Sequence, residues 1–238
     1  MARRARGPCA DPSGHDVTVV LHAEGVSRRI GDLAILVDVT LALEPGERVS
    51  LVGPSGCGKT TLLMLLGLLD RPDGGRVTFD GTDVASWSSS ARARARLGRI
   101  GFVFQTQNLL DHLSARDNVA LPAWRAGGSR SAALHSADAL LERMGLSARA
   151  ATRAGRLSTG EAQRVAIARA LVNKPVVVLA DEPTGSLDTA SAALALAALA
   201  SVVADGAALL VATHDPAVAA LGRLIPMRDG RIVDDTDR

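Results

Sequence analysis

The chain is poor in cysteine, aromatic residues and lysine. Its 238 residues include two cysteines, two tryptophans, three phenylalanines and no tyrosine. Two cysteines are too few for a disulfide scaffold, and Cys57 lies inside a glycine-rich loop, so the composition favours a reducing compartment. Only two of the 27 basic residues are lysines, Lys59 and Lys174. The net charge of +2 predicts no strong electrostatic attraction to nucleic acid, so no nucleic acid partner is expected.

Long apolar runs are also missing. Hydrophobic residues make up 47% of the chain, yet no segment offers the roughly 20 apolar residues that a membrane-spanning helix needs. The longest candidate, residues 190–204, is mostly alanine and is predicted to be a packed helix. Residues 1–16 carry three arginines but lack the apolar segment of a signal peptide. We expect them to form a disordered tail, with weak attraction to an acidic membrane surface as the alternative.

A glycine-rich loop lies between two apolar runs at residues 53–61. Its sequence, Gly-Pro-Ser-Gly-Cys-Gly-Lys-Thr-Thr, fits the pattern G-x-x-x-x-G-K-[ST]. Glycines let backbone N–H groups converge on phosphate oxygens at the positive end of a helix. Lys59 adds a compact positive charge for the outer phosphates, and the hydroxyl of Thr60 can bind a magnesium ion. The loop therefore predicts a phosphate site; the alternative is a turn that binds nothing.

The hydrophobic pattern predicts an α/β fold with a mostly parallel sheet. Apolar strands without internal alternation are expected at residues 49–52, 176–180 and 208–213, separated by helices, which implies a sheet covered on both faces. Between residues 106 and 160 the β-propensity falls, and residues 131–144 have helical periodicity. This predicts an inserted helical subdomain within one domain spanning residues 17–238.

A helix with three arginines is expected before the strand at residues 100–104. The serine run at residues 87–90 offers an N-cap, and Arg92, Arg96 and Arg99 fall along one side. Such charges predict a solvated face; contact with anionic lipid is the subordinate alternative.

Two carboxylates follow the strand predicted at residues 176–180. In a chain with a phosphate loop, Asp181 is expected to hold magnesium through water, and Glu182 to polarise a water for attack on the terminal phosphate. The alternative is a carboxylate pair that caps a turn before Pro183. Ser158 and Glu161 fit the S-x-x-E capping box of a helix start.

Together these motifs resemble the nucleotide-binding domain of ABC transporters. The resemblance runs from about Val17 to Val233 and rests on the phosphate loop, Gln105, Leu157-Ser158-Thr159-Gly160-Glu161 with residues 163–171, Asp181-Glu182-Pro183-Thr184, Ser186-Leu187-Asp188 and His214-Asp215. It implies a P-loop NTPase core with a mostly parallel sheet, an N-terminal antiparallel β subdomain and an inserted α-helical subdomain. It also implies ATP and Mg²⁺ as ligands.

The resemblance assigns a role to each motif residue. ATP would be held by Gly53, Pro54, Ser55, Gly56, Cys57, Gly58, Lys59, Thr60, Thr61 and Ile30. Catalytic roles fall to Glu182, His214 and Gln105, and magnesium would be held by Thr60, Gln105 and Asp181. The signature residues Ser158, Thr159, Gly160 and Glu161 would close over the ATP of a second copy, and Asp188 would connect the two sites across that interface. His214 could otherwise be a turn histidine.

Connecting segments point to a subgroup of this family. Residues 108–110, 114–122 and 181–188 are most similar to ATPases of lipoprotein release, macrolide export and cell division. The resemblance therefore implies a homodimer formed on ATP binding, an integral membrane permease as partner, and a peripheral position at the cytoplasmic face of the cell membrane. Coupling to the permease is expected near Gln105 and residues 109–113.

Two positions depart from the family pattern. Ile30 stands where an aromatic ring usually stacks on adenine, which predicts modest ATP affinity and weak discrimination against GTP, although Arg28 or Arg29 could lie over the base. Thr159 replaces the usual glycine of the signature, and little effect on turnover is expected because Ser158 and Gly160 are kept.

The leading hypothesis is an ATP-hydrolysing subunit that drives a separate permease, as an exporter or an extracytoplasmic mechanotransmission system. The rival is a regulatory ATP-binding module that assembles a membrane partner with little turnover, which the departures at Ile30 and Thr159 would permit. Intact Gln105, Glu182 and His214 argue against it. A soluble ABC protein of DNA repair or translation would need a long coiled-coil insertion or a second ATPase domain, and neither fits in 238 residues.

Overall fold

The computed structural model describes residues 19–185, 187–220 and 222–233. The predicted tail at residues 1–16 therefore lies outside the described residues, as does Ser186. The strands are β1 (Leu21–Ile30), β2 (Leu33–Leu43), β3 (Arg48–Val52), β4 (Gly74–Phe79), β5 (Thr82–Asp83), β6 (Ile100–Val103), β7 (Val177–Asp181), β8 (Ala208–Thr213), β9 (Arg223–Arg228) and β10 (Arg231–Ile232). The α-helices are α1 (Lys59–Leu66), α2 (Ser89–Arg99), α3 (Ala115–Arg125), α4 (Arg130–Arg143), α5 (Thr159–Leu171), α6 (Thr189–Ala204) and α7 (Pro216–Ala219).

Two sheets form the described fold. The first has four antiparallel strands in the order β2-β1-β4-β5, and its last pair is joined through the dipeptide Asp80-Gly81, which is typical of a hairpin turn. The second has the order β10-β9-β3-β8-β7-β6, in which only the short β10 runs antiparallel to its neighbour. The prediction of a mostly parallel sheet is confirmed.

The parallel strands form the centre of the core. Every residue of β7 and β8 is buried, as expected for strands without polar alternation. Residues on one face of the sheet pack with α1 and the antiparallel sheet, and residues on the other face pack with α4, α5 and α6. The carboxyl ends of β3, β7 and β8 consequently reach one edge of the sheet, where the loop at residues 53–61 also begins.

The segment between β6 and α5 is mostly helical. It contains α4, which the sequence predicts, and α3, whose periodicity is interrupted by Pro122 within the helix. Leu141 of α4 and Val119 of α3 are fully buried in the core that these helices share with α5. No helix of the described ranges is long and apolar enough to cross a membrane.

Two of the three α2 arginines that were predicted to form a solvated face do not lie on one, so the prediction was wrong for Arg92 and Arg96. Arg92 is buried and donates hydrogen bonds to the carbonyl oxygens of Leu68 and Asp70, and Arg96 donates to Leu68 as well. Burial is the main cause of the lowered pKa of Arg92. Both arginines satisfy backbone oxygens of the turn after α1, which no periodicity argument could reveal. Arg99 is exposed and pairs with Asp80.

Candidate functional site

The glycine-rich loop joins β3 to α1 as predicted. Gly58 precedes the helix with a φ of +106°, and an added Cβ there would lie 2.9 Å from the carbonyl oxygen of Ile35. At Gly53 an added Cβ would lie 2.1 Å from the carbonyl oxygen of Met227. Both positions require glycine because of backbone conformation or close approach, in addition to any demand of a phosphate ligand.

Within this loop the two side chains flanking Gly58 point inward. Lys59 is buried, and its Nζ donates to the carbonyl oxygens of Gly53 at 2.7 Å and Pro54 at 3.0 Å. Cys57 is buried in the core, so only its backbone is available to a ligand. The ammonium group is therefore held at the loop by two neutral acceptors, with no carboxylate partner found for it within the described residues.

Asp181 ends β7 directly beside the start of α1. Its Oδ2 accepts a hydrogen bond from Thr60 Oγ1 at 2.6 Å. Burial raises the pKa of Asp181, and the negative charge of Glu182 adds to the rise, whereas the hydrogen bond from Thr60 opposes it. A nearby cation would therefore stabilise the ionised form of this carboxylate.

Glu182 is held between the ends of β7 and β8. Its Oε1 lies 2.7 Å from His214 Nδ1, and its Oε2 accepts a hydrogen bond from Thr213 Oγ1 at 3.3 Å. The backbone of Glu182 has a φ of +46°, an unusual value that indicates a position fixed by its surroundings. Sequence reasoning missed Thr213; its place as the last residue of a buried strand, beside His214, was the available signal.

These side chains share one cleft of about 240 Å³. It is lined by Ser55, Gly56, Gly58, Lys59, Thr60, Thr61, Gln105, Asp181, Glu182 and His214. Most predicted residues are thus brought together from four chain segments. Ile30 and the signature residues are not part of this lining.

Ile30 ends β1 at the tip of a hairpin. It is 63% exposed and pairs with Leu33 of β2, which is 66% exposed and was not predicted as a site residue. Arg28 is bound to Asp70 and Asp73, each at 2.9 Å, and its guanidinium is therefore committed to carboxylates. An aliphatic pair, rather than Arg28, is the surface that this hairpin tip offers to a base.

The signature residues start α5 with the predicted capping box. Glu161 N–H donates to Ser158 Oγ at 3.3 Å, and Ser158 N–H donates to Glu161 Oε2 at 2.9 Å. The bond from Ser158 N–H is the main cause of the lowered pKa of Glu161, and Arg149 contributes through a bond to Glu161 Oε1 at 2.7 Å. Ser158 and Thr159 are exposed, so the helix start is open to a ligand from outside the chain.

Asp188 caps the next helix, α6. It accepts hydrogen bonds from Ser191 N–H at 2.9 Å and from Ser191 Oγ at 2.7 Å. The backbone bond is the main cause of its lowered pKa. The carboxylate is therefore held in its charged form at the start of α6.

The predicted magnesium ligands fit that ion by their chemistry. Thr60 and Asp181 present adjacent oxygens, and Gln105, whose side chain carries an amide oxygen, lines the same cleft. Mg²⁺ prefers oxygen ligands and is usually bound by one or two carboxylates together with substrate phosphates. No cluster of three or more histidine, cysteine or acidic side chains suited to a metal occurs within the described ranges.

Comparison with known proteins agrees with this geometry. Residues 36–185 match the ABC transporter family. The lipoprotein-releasing system ATP-binding protein LolD of Hyphomonas neptunium is 45% identical, over 90% of this chain and 97% of that protein. The macrolide export ATP-binding/permease protein MacB of Chromobacterium violaceum is also 45% identical, but the chain spans only 34% of its length.

Solved structures show the same architecture. A dimeric ATP-binding cassette in a post-hydrolysis state, bound to ADP and Pi, superposes with a TM-score of 0.85 at 35% identity, covering 90% of this chain and 97% of that one. CbiO1 of Clostridium perfringens superposes with a TM-score of 0.80 at 27% identity, over 91% of this chain and 88% of its own.

The chain belongs to the ABC transporter family, and within it to the ATP-binding cassettes. The predicted family, fold class and ATP-binding, ATP-hydrolysing activity are confirmed.

Proposed function

We propose that this chain is the ATPase subunit of a lipoprotein-release or macrolide-export type of ABC system and works with a separate integral membrane permease. The convergence of Lys59, Thr60, Asp181, Glu182 and His214 on one cleft carries the proposal. The two relatives above support the subgroup, because their names state these two kinds of work. The subunit would lie at the cytoplasmic face of the membrane, where such a permease meets ATP.

The cleft supports a division of labour during hydrolysis. Glu182 orients and polarises the attacking water, since its Oε1 and Oε2 are held by His214 and Thr213 at the strand ends. His214 contacts the terminal phosphate from the same side. Lys59 exchanges the carbonyl oxygens of Gly53 and Pro54 for the outer phosphates, which are stronger acceptors because they are charged.

Magnesium would be held by Thr60, Asp181 and Gln105. When bound, the ion supplies charge neutralisation for the phosphate oxygens. Thr60 would then turn its hydroxyl oxygen from Asp181 towards the ion, and the raised pKa of Asp181 would fall as a cation compensates its burial.

The site is half of a larger one. Its lining contains the phosphate loop and the carboxylates, but no signature residue. The exposed helix start at Ser158 and Gly160 offers a hydroxyl and a positive helix end to a phosphate. We therefore infer a homodimer on ATP binding, in which each copy covers the other's nucleotide. The solved dimeric cassette with 35% identity supports this arrangement.

A groove of about 430 Å³ offers a docking place for the permease. Its lining includes Phe102 and Phe104, whose rings stack with centroids 5.2 Å apart, and the exposed Leu69. Arg169 donates to the carbonyl oxygens of Gln107 and Asn108, which fixes the segment that carries Gln105. A permease helix in this groove would therefore press on a segment that reaches the ATP cleft.

The test is the substitution Glu182→Gln. Loss of the base is expected to lower the ATPase rate at least about 100-fold and to trap an ATP-bound dimer, because general-base catalysis typically contributes that much. Phosphate release and gel filtration with ATP and Mg²⁺ measure both effects. Glu142→Gln, on an exposed face of α4, is the control and should keep the wild-type rate. Equal rates for the wild type and Glu182→Gln would remove Glu182 from this role.

A further inference from the structure

The starts of α5 and α6 are joined by hydrogen bonds between side chains. Arg164 Nη1, one turn into α5, donates to Ser191 Oγ at 2.6 Å. Ser191 Oγ in turn donates to Asp188 Oδ2 at 2.7 Å. The chain Arg164–Ser191–Asp188 therefore connects the helix that carries the signature residues to the carboxylate that caps α6.

The signature backbone touches the same serine. A Cβ added to Gly160 would lie 3.0 Å from Ser191 Oγ and 3.7 Å from Asp188 Oδ2. Gly160 therefore packs directly against the start of α6 within its own chain. The two helix starts are coupled both by this contact and by the hydrogen-bonded chain through Arg164.

The serine hydroxyl is not needed to cap α6. Asp188 already accepts the backbone N–H of Ser191 at 2.9 Å, which is the bond that defines an N-cap. The hydroxyl bonds both Asp188 and Arg164, a residue of another helix. It therefore ties the start of α6 to α5, in addition to the cap that the backbone bond provides.

We propose that Arg164 and Ser191 are positioning residues that make the signature turn and Asp188 move as one unit in each protomer. The inference rests on the proposed function, because it concerns a dimer with two nucleotide sites. Under that function a phosphate of the partner's nucleotide would meet Ser158–Gly160, and Asp188, which is expected at the interface between the two sites, lies against Gly160 in the same chain. The link would therefore let the occupancy of one site fix a residue that is expected to serve the other.

Turnover of a Ser191→Ala variant tests this link. It removes the hydroxyl but keeps the backbone bond to Asp188, and kcat is expected to fall about fivefold, the lower end of typical coupling between sites. KM for ATP should stay within about twofold, since the phosphate loop is untouched. Ser191→Thr retains a hydroxyl and should restore most of the rate.

A matched control exists at the other end of the same helix. Ser201 Oγ also accepts an arginine bond, from Arg143 Nη2 at 2.7 Å. Ser201→Ala should leave kcat unchanged. Equal kcat values for Ser191→Ala and Ser201→Ala would overturn the inference, and thermal unfolding of both variants separates a positional effect from a loss of fold.

A double-mutant cycle tests the bond itself. Arg164→Met and Ser191→Ala should each lower kcat about fivefold, and the double variant should be no slower than the slower single variant, because both remove one link. Multiplicative effects would contradict the proposal.

If the wild type had no ATPase activity, the proposed function would be wrong instead. Amide hydrogen exchange would then test whether Arg164 stabilises the start of α6 through Ser191. Exchange at residues 188–191 should rise in Arg164→Met but not in Arg143→Met; no rise overturns it.

Discussion

At the scale of single residues, Ile30 marks the part of the site that departs from the family pattern. This is the part that would bind the adenine base, whereas the part that would bind the phosphates keeps the expected residues. The phosphate end has its expected lysine, threonine and carboxylates within one cleft. The base end has an exposed aliphatic side chain at a hairpin tip, paired with Leu33, while Arg28 is held by two aspartates. Aliphatic side chains can pack on a base but lack the stacking of an aromatic ring, worth about 1 to 3 kcal/mol per base.

Ile30→Tyr is expected to strengthen ATP binding about tenfold, because the ring can stack on adenine from the same hairpin position. Isothermal titration with ATP and with GTP measures the change, and the wild type should discriminate only weakly between the two nucleotides. Ile30→Leu keeps an aliphatic surface and should bind like the wild type. Wild-type affinity equal to or better than that of Ile30→Tyr would refute the expectation.

At the scale of elements, the start of α5 serves stability and binding with the same residues. Ser158 and Glu161 cap the helix, and the exposed hydroxyl and N–H groups of this turn remain open to a partner's phosphate. Thr159 occupies the first helical position with its side chain exposed, where a β-branched residue meets no crowding from a preceding turn.

The capping box makes stability depend on pH through Glu161. Its pKa is lowered in the folded chain, so its stabilisation is fully present above the unfolded pKa and is lost as pH falls through the lower folded pKa. Glu161→Gln keeps an oxygen for the N–H of Ser158 but loses the charge at the helix start, so it should reduce the free energy of unfolding by about 0.5 kcal/mol at pH 7. This difference should shrink below about pH 4.

Urea denaturation at both pH values measures the Glu161 effect, with Glu142→Gln on the exposed face of α4 as the control. A Glu161→Gln difference that is as large at low pH as at pH 7 would mean that the charge of this carboxylate does not contribute to the cap.

At the scale of the whole molecule, the groove and the ATP cleft share one connecting segment. Gln163 Nε2 donates to the carbonyl oxygen of Phe104 at 3.3 Å, and Gln105 follows immediately and lines the cleft. Phe104 itself lines the groove. A partner bound in the groove and a nucleotide bound in the cleft would therefore contact neighbouring residues of the same strand end.

Leu69→Asp should weaken association with the permease at least about tenfold, because a carboxylate would have to be desolvated against the apolar groove. Leu224→Asp is the control: Leu224 is 48% exposed, compared with 45% for Leu69, lies near the amino end of β9 and is not part of the groove lining. Co-purification with the permease measures binding. Equal retention of both variants would exclude the groove as the docking place, provided that both keep the wild-type melting temperature.

The sequence alone determined the motifs, the parallel core and the family, because a phosphate loop and strand-end carboxylates require particular residue types at fixed spacing. It also determined the cap at Ser158, which is local. Tertiary structure decided that Arg92 would be buried against the turn after α1, that α3 would continue through Pro122, and that Thr213 would hold Glu182. Each depends on contacts between segments distant in the chain, and neither periodicity nor local propensity carries that information.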